Sequence, residues 1–574
     1  VPPRRGSPRV LAVARGDEPA DILLRGGSVF VPGTREWVTT DLAIADGTIA
    51  GWGPREARET VDVSGAALTA AFVDVHMHLE STKLWVDEFV RAVLPHGTTA
   101  VAADPHEIAN VFGIPGIVAL AEASRRLPFT FGISAPSCVP ASHFESPAAE
   151  FSSAELTELL EKHGAIGIAE VMNFPGVVNG DPEVLAKIAT AGDKRVDGHA
   201  PGLVGCQLDA YLVAGVESDH ECTDLEEAEE KRRKGMWIFI REGSASRNLA
   251  ALIGTVLRHG TDRIALCTDD REPDTLLHSG HVNDCARLAV AAGVRAEDAL
   301  VMVTSNPADY YHFDHLGWIA PGYQADVLCF DDLSSFEPVR VWQAGELVAV
   351  DGAVVPGAVP DADAPDWMRA SVHLETLPGP GAFDLPPPAA GRARVIGVES
   401  RSLTTRALVL DVTDPSAQVA RIAVVERHCR TGRIGLGYVH GFGLSRGAIA
   451  STVAHDAHNC MVVGAIDESG PGEMAVAVAR LAEIGGGQVA VRDGRVLAEV
   501  RLPIGGLMSD QRIEEVAREV GLLADAASND LGVTIDSPFM QLSFLGLSVL
   551  PELRITDRGL VDVTKFALTD VAAP

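Results

Sequence analysis

Between residues 69 and 316 short apolar runs alternate with longer amphipathic stretches, and the alternation recurs eight times. The apolar runs fall at 71–77, 97–103, 129–135, 165–171, 195–199, 215–219, 237–241 and 263–268. Strand-length runs separated by helix-length segments predict βα units in a parallel array. Eight such units in about 250 residues predict an α/β fold of the (β/α)8 TIM-barrel type, with functional groups at the C-terminal strand ends.

The flanks read differently. Residues from about 20 to 68 are short strands joined by turns, and Asp46-Gly47 between two apolar runs is a strong hairpin signal. The same texture returns at 325–330 and 347–355. Segments 1–68 and 317–358 are therefore expected to form one small split β-sandwich domain around a barrel at 69–316. A Pro/Gly-rich stretch at 359–391, with Pro386-Pro387-Pro388, reads as a linker. Residues 392–574 are then expected to form a separate C-terminal α+β domain.

Composition narrows the partners. The 574 residues carry 79 acidic against 47 basic side chains, a net charge of −32. Such a surface repels polyphosphate, so neither nucleic acid nor an anionic membrane is an expected partner. Mean hydropathy of +0.14 with 47% hydrophobic residues supports large buried cores. Eight cysteines without a CxxC pair argue against a structural zinc site or a disulfide scaffold. The first residues, Val1-Pro2-Pro3-Arg4-Arg5, are basic but no apolar leader core follows. With no apolar stretch of roughly 18 residues, no membrane span is expected and the expected location is cytoplasmic.

The chemistry starts at His76 and His78, one residue apart at the end of the first run. On a strand, residues i and i+2 share a face, so the two imidazoles can chelate one ion. Alone the pair is weak evidence, since histidines also serve as bonded core residues. Glu170 ends the fourth run, His199 the fifth, His220 the sixth and Asp269 the eighth. Five strand ends thus deliver six metal-capable side chains to one rim. The nitrogen and oxygen donors without thiolate suit Mn²⁺, Fe²⁺ or Zn²⁺. Two divalent ions about 3.5–4 Å apart can share one carboxylate. His76, His78 and Asp269 would hold the first, His199 and His220 the second, with Glu170 between them.

With these stretches the chain resembles the amidohydrolase superfamily, and within it the bacterial adenine deaminases. The likeness rests on Asp74–Ser81, on Asp104-Pro105-His106-Glu107-Ile108-Ala109-Asn110, and on Glu170-Val171-Met172-Asn173. Ser218-Asp219-His220-Glu221, Cys267-Thr268-Asp269-Asp270-Arg271 and Ala454-His455-Asp456-Ala457-His458-Asn459 extend it. The resemblance implies a binuclear hydrolase, using Mn²⁺ or Fe²⁺, that converts adenine and water to hypoxanthine and ammonia. Many members bridge their ions with a carboxylated lysine on the fourth strand. Glu170 stands there instead, as in the adenine deaminases. Hydroxide is expected to attack C6 of the purine, with Asp269 as general base and then acid. A homo-oligomer is implied by the resemblance only.

Other residues have weaker expectations. Glu80, two residues past the histidine pair, would accept hydrogen bonds from N–H groups of adenine. His106 and Glu107 follow the second run and are candidates for substrate contact or an accessory ion. His455 and His458 reach the site only if the C-terminal domain folds over the barrel mouth. Asp270 competes with Asp269, because strand neighbours face opposite ways. His278 and His281 are expected to open the following helix. The charge run 226–234 reads as a solvated helix face. The rival readings are a cyclic amidohydrolase opening a hydantoin or lactam ring on the same scaffold, and a non-catalytic barrel that only binds.

Overall fold

The computed structural model describes residues 6–244, 246–389, 391–400 and 404–573. Residues 1–5, on which the leader expectation rests, lie outside the described residues.

Eight strands alternate with helices through the middle of the chain. They are β1 Phe72–Met77, β2 Thr98–Ala103, β3 Thr130–Ile133, β4 Gly167–Val171, β5 Arg195–Gly198, β6 Ser218–Asp219, β7 Trp237–Arg241 and β8 Ile264–Cys267. Each lies within a run expected from the sequence. β1, β2 and β4 are buried at every position, which is why they read as continuous apolar runs and not as alternating ones. All the pairings are parallel: β1 with β2, β2 with β3, β4 with β5, β6 with β7 and β7 with β8.

Single links complete the circuit. Ala135 bridges Ile168 between β3 and β4, and the Glu217 N–H donates to the Val196 carbonyl between β5 and β6 at 2.9 Å. Met77 bridges Asp269, returning from β8 to β1. A circuit of eight parallel strands with intervening helices is consistent with a TIM-type barrel. β5 and β6 approach closely at Gly198, where a β-carbon would stand 2.2 Å from the Ser218 carbonyl oxygen. Only glycine fits that point, one residue before His199.

The two flanks meet in one nine-stranded sheet. Its seam is Ala67–Ala70 paired antiparallel with Val327–Phe330. The expected hairpin is present: Asp46 and Gly47 take φ of 47° and 69°, the positive pair that a tight two-residue turn demands. The 359–391 stretch carries no strand or α-helix among its described residues, but it is anchored, with Met368 and Phe383 fully buried.

Helix α1, His106–Ser124, follows β2 and is interrupted at Gly113, where φ is 64°. It is the one described helix long and apolar enough to cross a membrane, a length no uninterrupted apolar run in the sequence suggests. Ile108, Ala109 and Leu120 on it belong to the main hydrophobic core. The charge run 226–234 corrects the expectation of a solvated face. Its i,i+4 pairs form, but Lys231 is wholly buried. Its ammonium donates to Asp219 at 2.9 Å, to Glu227 and to the Ala200 carbonyl at 2.7 Å, tying the ends of β5 and β6 together.

The C-terminal region builds an eight-stranded sheet covered by helix α2, Gly470–Ile484. Two of its parts reach the barrel rim: the turn 454–459 and helix α3, Pro538–Phe544. The loop after β3 fastens them. Ser146 donates from its backbone and hydroxyl to Asp557 at 3.1 and 2.8 Å, and Thr556 donates to the Phe144 carbonyl at 2.6 Å. Glu145 accepts from Ser548 at 2.9 Å and from the Ala457 N–H at 3.3 Å. Burial, with Asp456 nearby, pushes the Glu145 carboxyl up to about 8 from the ordinary 4.5. Because the folded value is the higher, this group's contribution is fully present below about pH 4.5 and is lost as pH rises through about 8. Glu145→Gln should therefore flatten the fall in stability across that interval, as read from denaturation midpoints of both proteins over a pH series.

Candidate active site

The ends of the strands bring the expected side chains into one buried cluster. His76, His78, Glu170, His199, His220 and Asp269 are each 5% exposed or less. The Asp269 Oδ1 atom lies 3.0 Å from His78 Nε2 and 3.5 Å from His76 Nε2. Glu170 faces two ways. Its Oε2 meets His199 Nδ1 at 2.8 Å and His220 Nε2 at 3.1 Å, while Oε1 lies 3.7 Å from His78 Nε2 and 3.6 Å from His106 Nδ1. The His76 and His220 rings are stacked with centroids 4.1 Å apart.

The donor chemistry fits divalent cations. The Nδ1 of His78 lies 3.1 Å from the Asp104 carbonyl, which can only accept, so the proton sits on Nδ1 and Nε2 is left bare. His76 Nε2, His199 Nε2 and His220 Nδ1 are buried without hydrogen-bond partners. Ligand atoms of His76, His78 and Asp269 lie within 4.8 Å of one another, as do those of His76, Glu170 and His220. Imidazole nitrogens of His76, His78, His199 and His220 facing the Asp269 and Glu170 carboxylates, all shielded from water, form a donor set that suits a cation.

Electrostatics point the same way. Burial opposes the charge on Glu170, but His199 and His220 outweigh it and hold the carboxyl well below its usual range. Burial likewise opposes the charge on Asp269, and Arg241 with His76 and His78 overcomes it. His199 is raised to about 9, burial being outweighed by Glu221 and Glu170.

Several residues were not anticipated. Arg241 ends β7, and its guanidinium contacts both Asp269 Oδ2 and Glu221 Oε1, with a second bond to Glu221 at 3.0 Å. The strand-end rule applied to the seventh strand would have found it. A small cavity of about 30 Å³ lies above the cluster. His106, Arg241, Asp269 and Asp270 line it from the strand ends; Met172, Phe544, Leu547 and Leu550 form its apolar side. His455 and Asp456 close it from the C-terminal turn. No short-range sequence signal marks Phe544 or Leu547.

Other expectations are corrected. Glu80 and Glu107 lie off the cavity wall, and Glu107 with His455 and His458 forms a group whose atoms could hold a cation. The chain turns into a 3-10 helix at Glu80–Thr82, and Glu80 Oε1 accepts the Ile108 N–H at 2.9 Å, serving the first turn of α1. Glu107 accepts from Ser81 at 3.1 Å and lies 3.4 Å from His458. Asp269 and Asp270 both line the cavity, because Asp269 adopts a left-handed φ of 54° and breaks the strand alternation. Asp270 bonds Ser81, whereas Asp269 alone meets the histidine pair. His281 precedes its helix as expected, but it is buried against Asp74 and Thr268, away from the cavity.

An amidohydrolase family model matches residues 67–348, and a model of the adenine deaminase C-terminal domain matches residues 399–567. The strand circuit and its rim are thus an amidohydrolase-family α/β domain. Adenine deaminase 2 of Carboxydothermus hydrogenoformans is 43% identical over 98% of this chain and 99% of its own length. The adenine deaminases of Desulfatibacillum aliphaticivorans and Methanothrix thermoacetophila are each 43% identical, over 97% of this chain and 98% of theirs. The chain belongs to the adenine deaminase family.

The buried Arg241 gives a direct test of the site's charge balance. Arg241→Met leaves Glu221 and Asp269 facing each other without a cation. It should cost about 3–5 kcal/mol of stability in chelator-treated protein. The loss should be smaller once divalent ions are restored, as measured by chemical denaturation in both states.

Proposed function

We propose that the chain hydrolyses adenine to hypoxanthine and ammonia. The observation that carries the reading is the whole-length likeness to relatives named adenine deaminase, which includes the C-terminal segment closing the cavity. In this reading the strand circuit is a (β/α)8 barrel and residues 1–68 with 317–358 form a split β domain. Residues 359–391 are the connection, and 392–574 form the C-terminal domain. Eight unpaired cysteines support a reducing compartment such as the cytoplasm.

His76, His78 and Asp269 would hold one divalent ion, His199 and His220 a second, and Glu170 would serve both. Mn²⁺, Fe²⁺ and Zn²⁺ all suit these donors. Such ions supply Lewis acidity that lowers the pKa of water toward neutrality. The chain's own groups do the rest. Asp269 accepts one proton of the attacking water as C6 becomes tetrahedral and passes it to the amine as the C6–N bond breaks. The remaining hydroxyl proton ends on ring N1 as the carbonyl forms. Arg241 occupies Asp269 Oδ2, so Oδ1, the oxygen beside the histidine pair, is the one that moves the proton. His106 on the wall is the remaining substrate-contact candidate. Met172, Leu547 and Leu550 exclude water from the faces of the base.

The test is adenine turnover followed by the ultraviolet change to hypoxanthine with parallel ammonia release. Chelation should abolish it and Mn²⁺ or Fe²⁺ should restore it. Asp269→Asn should lower kcat by about 10²–10⁴-fold in folded protein, and His76→Ala should lose bound metal along with turnover. A metal-replete protein that leaves adenine untouched but opens a hydantoin or lactam would replace this reading with that of a cyclic amidohydrolase.

A further inference from the structure

The cavity has a second polar end that the reaction described above does not use. Asp456 is 1% exposed and its Oδ2 has no hydrogen-bond partner; His455 is 4% exposed and its Nε2 has none. Both line the same cavity as Glu170, His199 and Asp269. Buried polar atoms left bare are costly, and in a ligand site they mark where the ligand's own polar atoms go.

The turn that carries them is braced from several directions. The His455 N–H donates to the Ser543 carbonyl at 2.9 Å, and its ring stacks on Phe544 with centroids 4.7 Å apart and planes 9° from parallel. Arg427 donates to the His458 carbonyl, and its backbone N–H to Asn459 Oδ1 at 3.1 Å. His458 itself faces elsewhere. Its Nδ1 accepts the Ala454 N–H at 3.0 Å, so the proton of the neutral ring sits on Nε2, 3.4 Å from Glu107 Oε2. His458 thereby supports the turn through Nδ1.

Position relative to the catalytic end decides the role. Asp456 Oδ1 lies 3.5 Å from His106 Nε2, while the other nitrogen of that ring lies 3.6 Å from Glu170 Oε1. The two carboxyl groups stand at opposite ends of the His106 imidazole. A purine placed with C6 toward Glu170 and its plane along His106 turns its five-membered ring toward Asp456. An unsubstituted purine carries one N–H on that ring; a nucleoside carries carbon on N9 and has no ring N–H there.

We infer that Asp456, with His455 beside it, accepts the imidazole N–H of the purine, so that the site takes the free base and rejects N9-substituted purines. The inference rests on the adenine reading above. A nucleoside would leave the Asp456 carboxyl without its donor and would drive its sugar into Phe544, Leu547 and Leu550. Sites that hydrogen-bond a substrate N–H discriminate strongly against analogues that lack it.

The experiment compares adenine with 9-methyladenine, which removes the N–H with the smallest added volume, in wild type, Asp456→Ala and Asp456→Leu. Wild type should prefer adenine by about 10⁴-fold in kcat/KM. Asp456→Ala should lower that ratio by about 10²-fold, chiefly through a higher KM for adenine, with metal content equal to wild type. Should Asp456→Ala fail to fold by circular dichroism, Asp456→Leu, of similar size and without an acceptor, decides by the same ratio. An unchanged ratio in a folded variant overturns the inference and leaves the adenine reading standing. Loss of a metal equivalent on substitution overturns it too, since His106, His455 and Asp456 would then be holding a cation. Absence of adenine turnover in metal-replete wild type overturns both.

Discussion

Four imidazoles and two carboxylates share one volume that water scarcely enters, and that concentration of ionisable groups is what the surrounding structure must hold in place. Each carboxylate is engaged on both of its oxygens. Glu170 divides its two between different imidazoles, and Asp269 divides its two between the histidine pair and Arg241. Neither group has a free side from which water could relieve its charge. A buried charge survives only when it is paired and hydrogen-bonded. The cluster therefore has the donor chemistry that suits a cation.

Buried cations of the chain itself do the bracing around it. Lys231 joins the ends of β5 and β6 through Asp219 and the Ala200 carbonyl, each one residue from a histidine of the cluster. Arg241 fixes Asp269 against Glu221. Arg427 donates to carbonyls of His458, Ser371 and Gly505, pinning the 359–391 stretch and two C-terminal segments at once. In each case one long side chain with several donors links segments distant in sequence. Their geometry sets where the shorter imidazoles and carboxylates can point.

How much of this was legible in the sequence depended on the range of the interaction. Strand positions were legible because burial on both faces writes a continuous apolar run, and the strand ends followed from them. His76, His78, Glu170, His199, His220 and Asp269 meet where that rule puts them. Lys231 was misread because a run of alternating charge shows its own signs but not Asp219 on a neighbouring strand. Glu80 sits off the wall because the chain turns into a 3-10 helix that aims one of its oxygens at the Ile108 N–H. Asp270 joined the wall because one left-handed residue broke the alternation. Phe544, Leu547 and Asp456 lie some hundreds of residues from the strands they face, and no periodicity encodes such a meeting.

The C-terminal region is more than a cover, and the chemistry of the cavity wall says why. The strand ends supply nearly all the charge: imidazoles, carboxylates and one guanidinium. Apart from Met172, the apolar side comes from Phe544, Leu547 and Leu550. A flat heteroaromatic base needs both, ionic groups to act on one carbon and apolar surface to hold its faces and displace water. The strand circuit without the turn 454–459 and helix α3 would keep its imidazoles and carboxylates but open them to solvent. Screening by water would then weaken every electrostatic contact in the cluster. The bonds through Glu145, Ser146 and Thr556 that hold the two parts together thus belong to the function as much as to the fold.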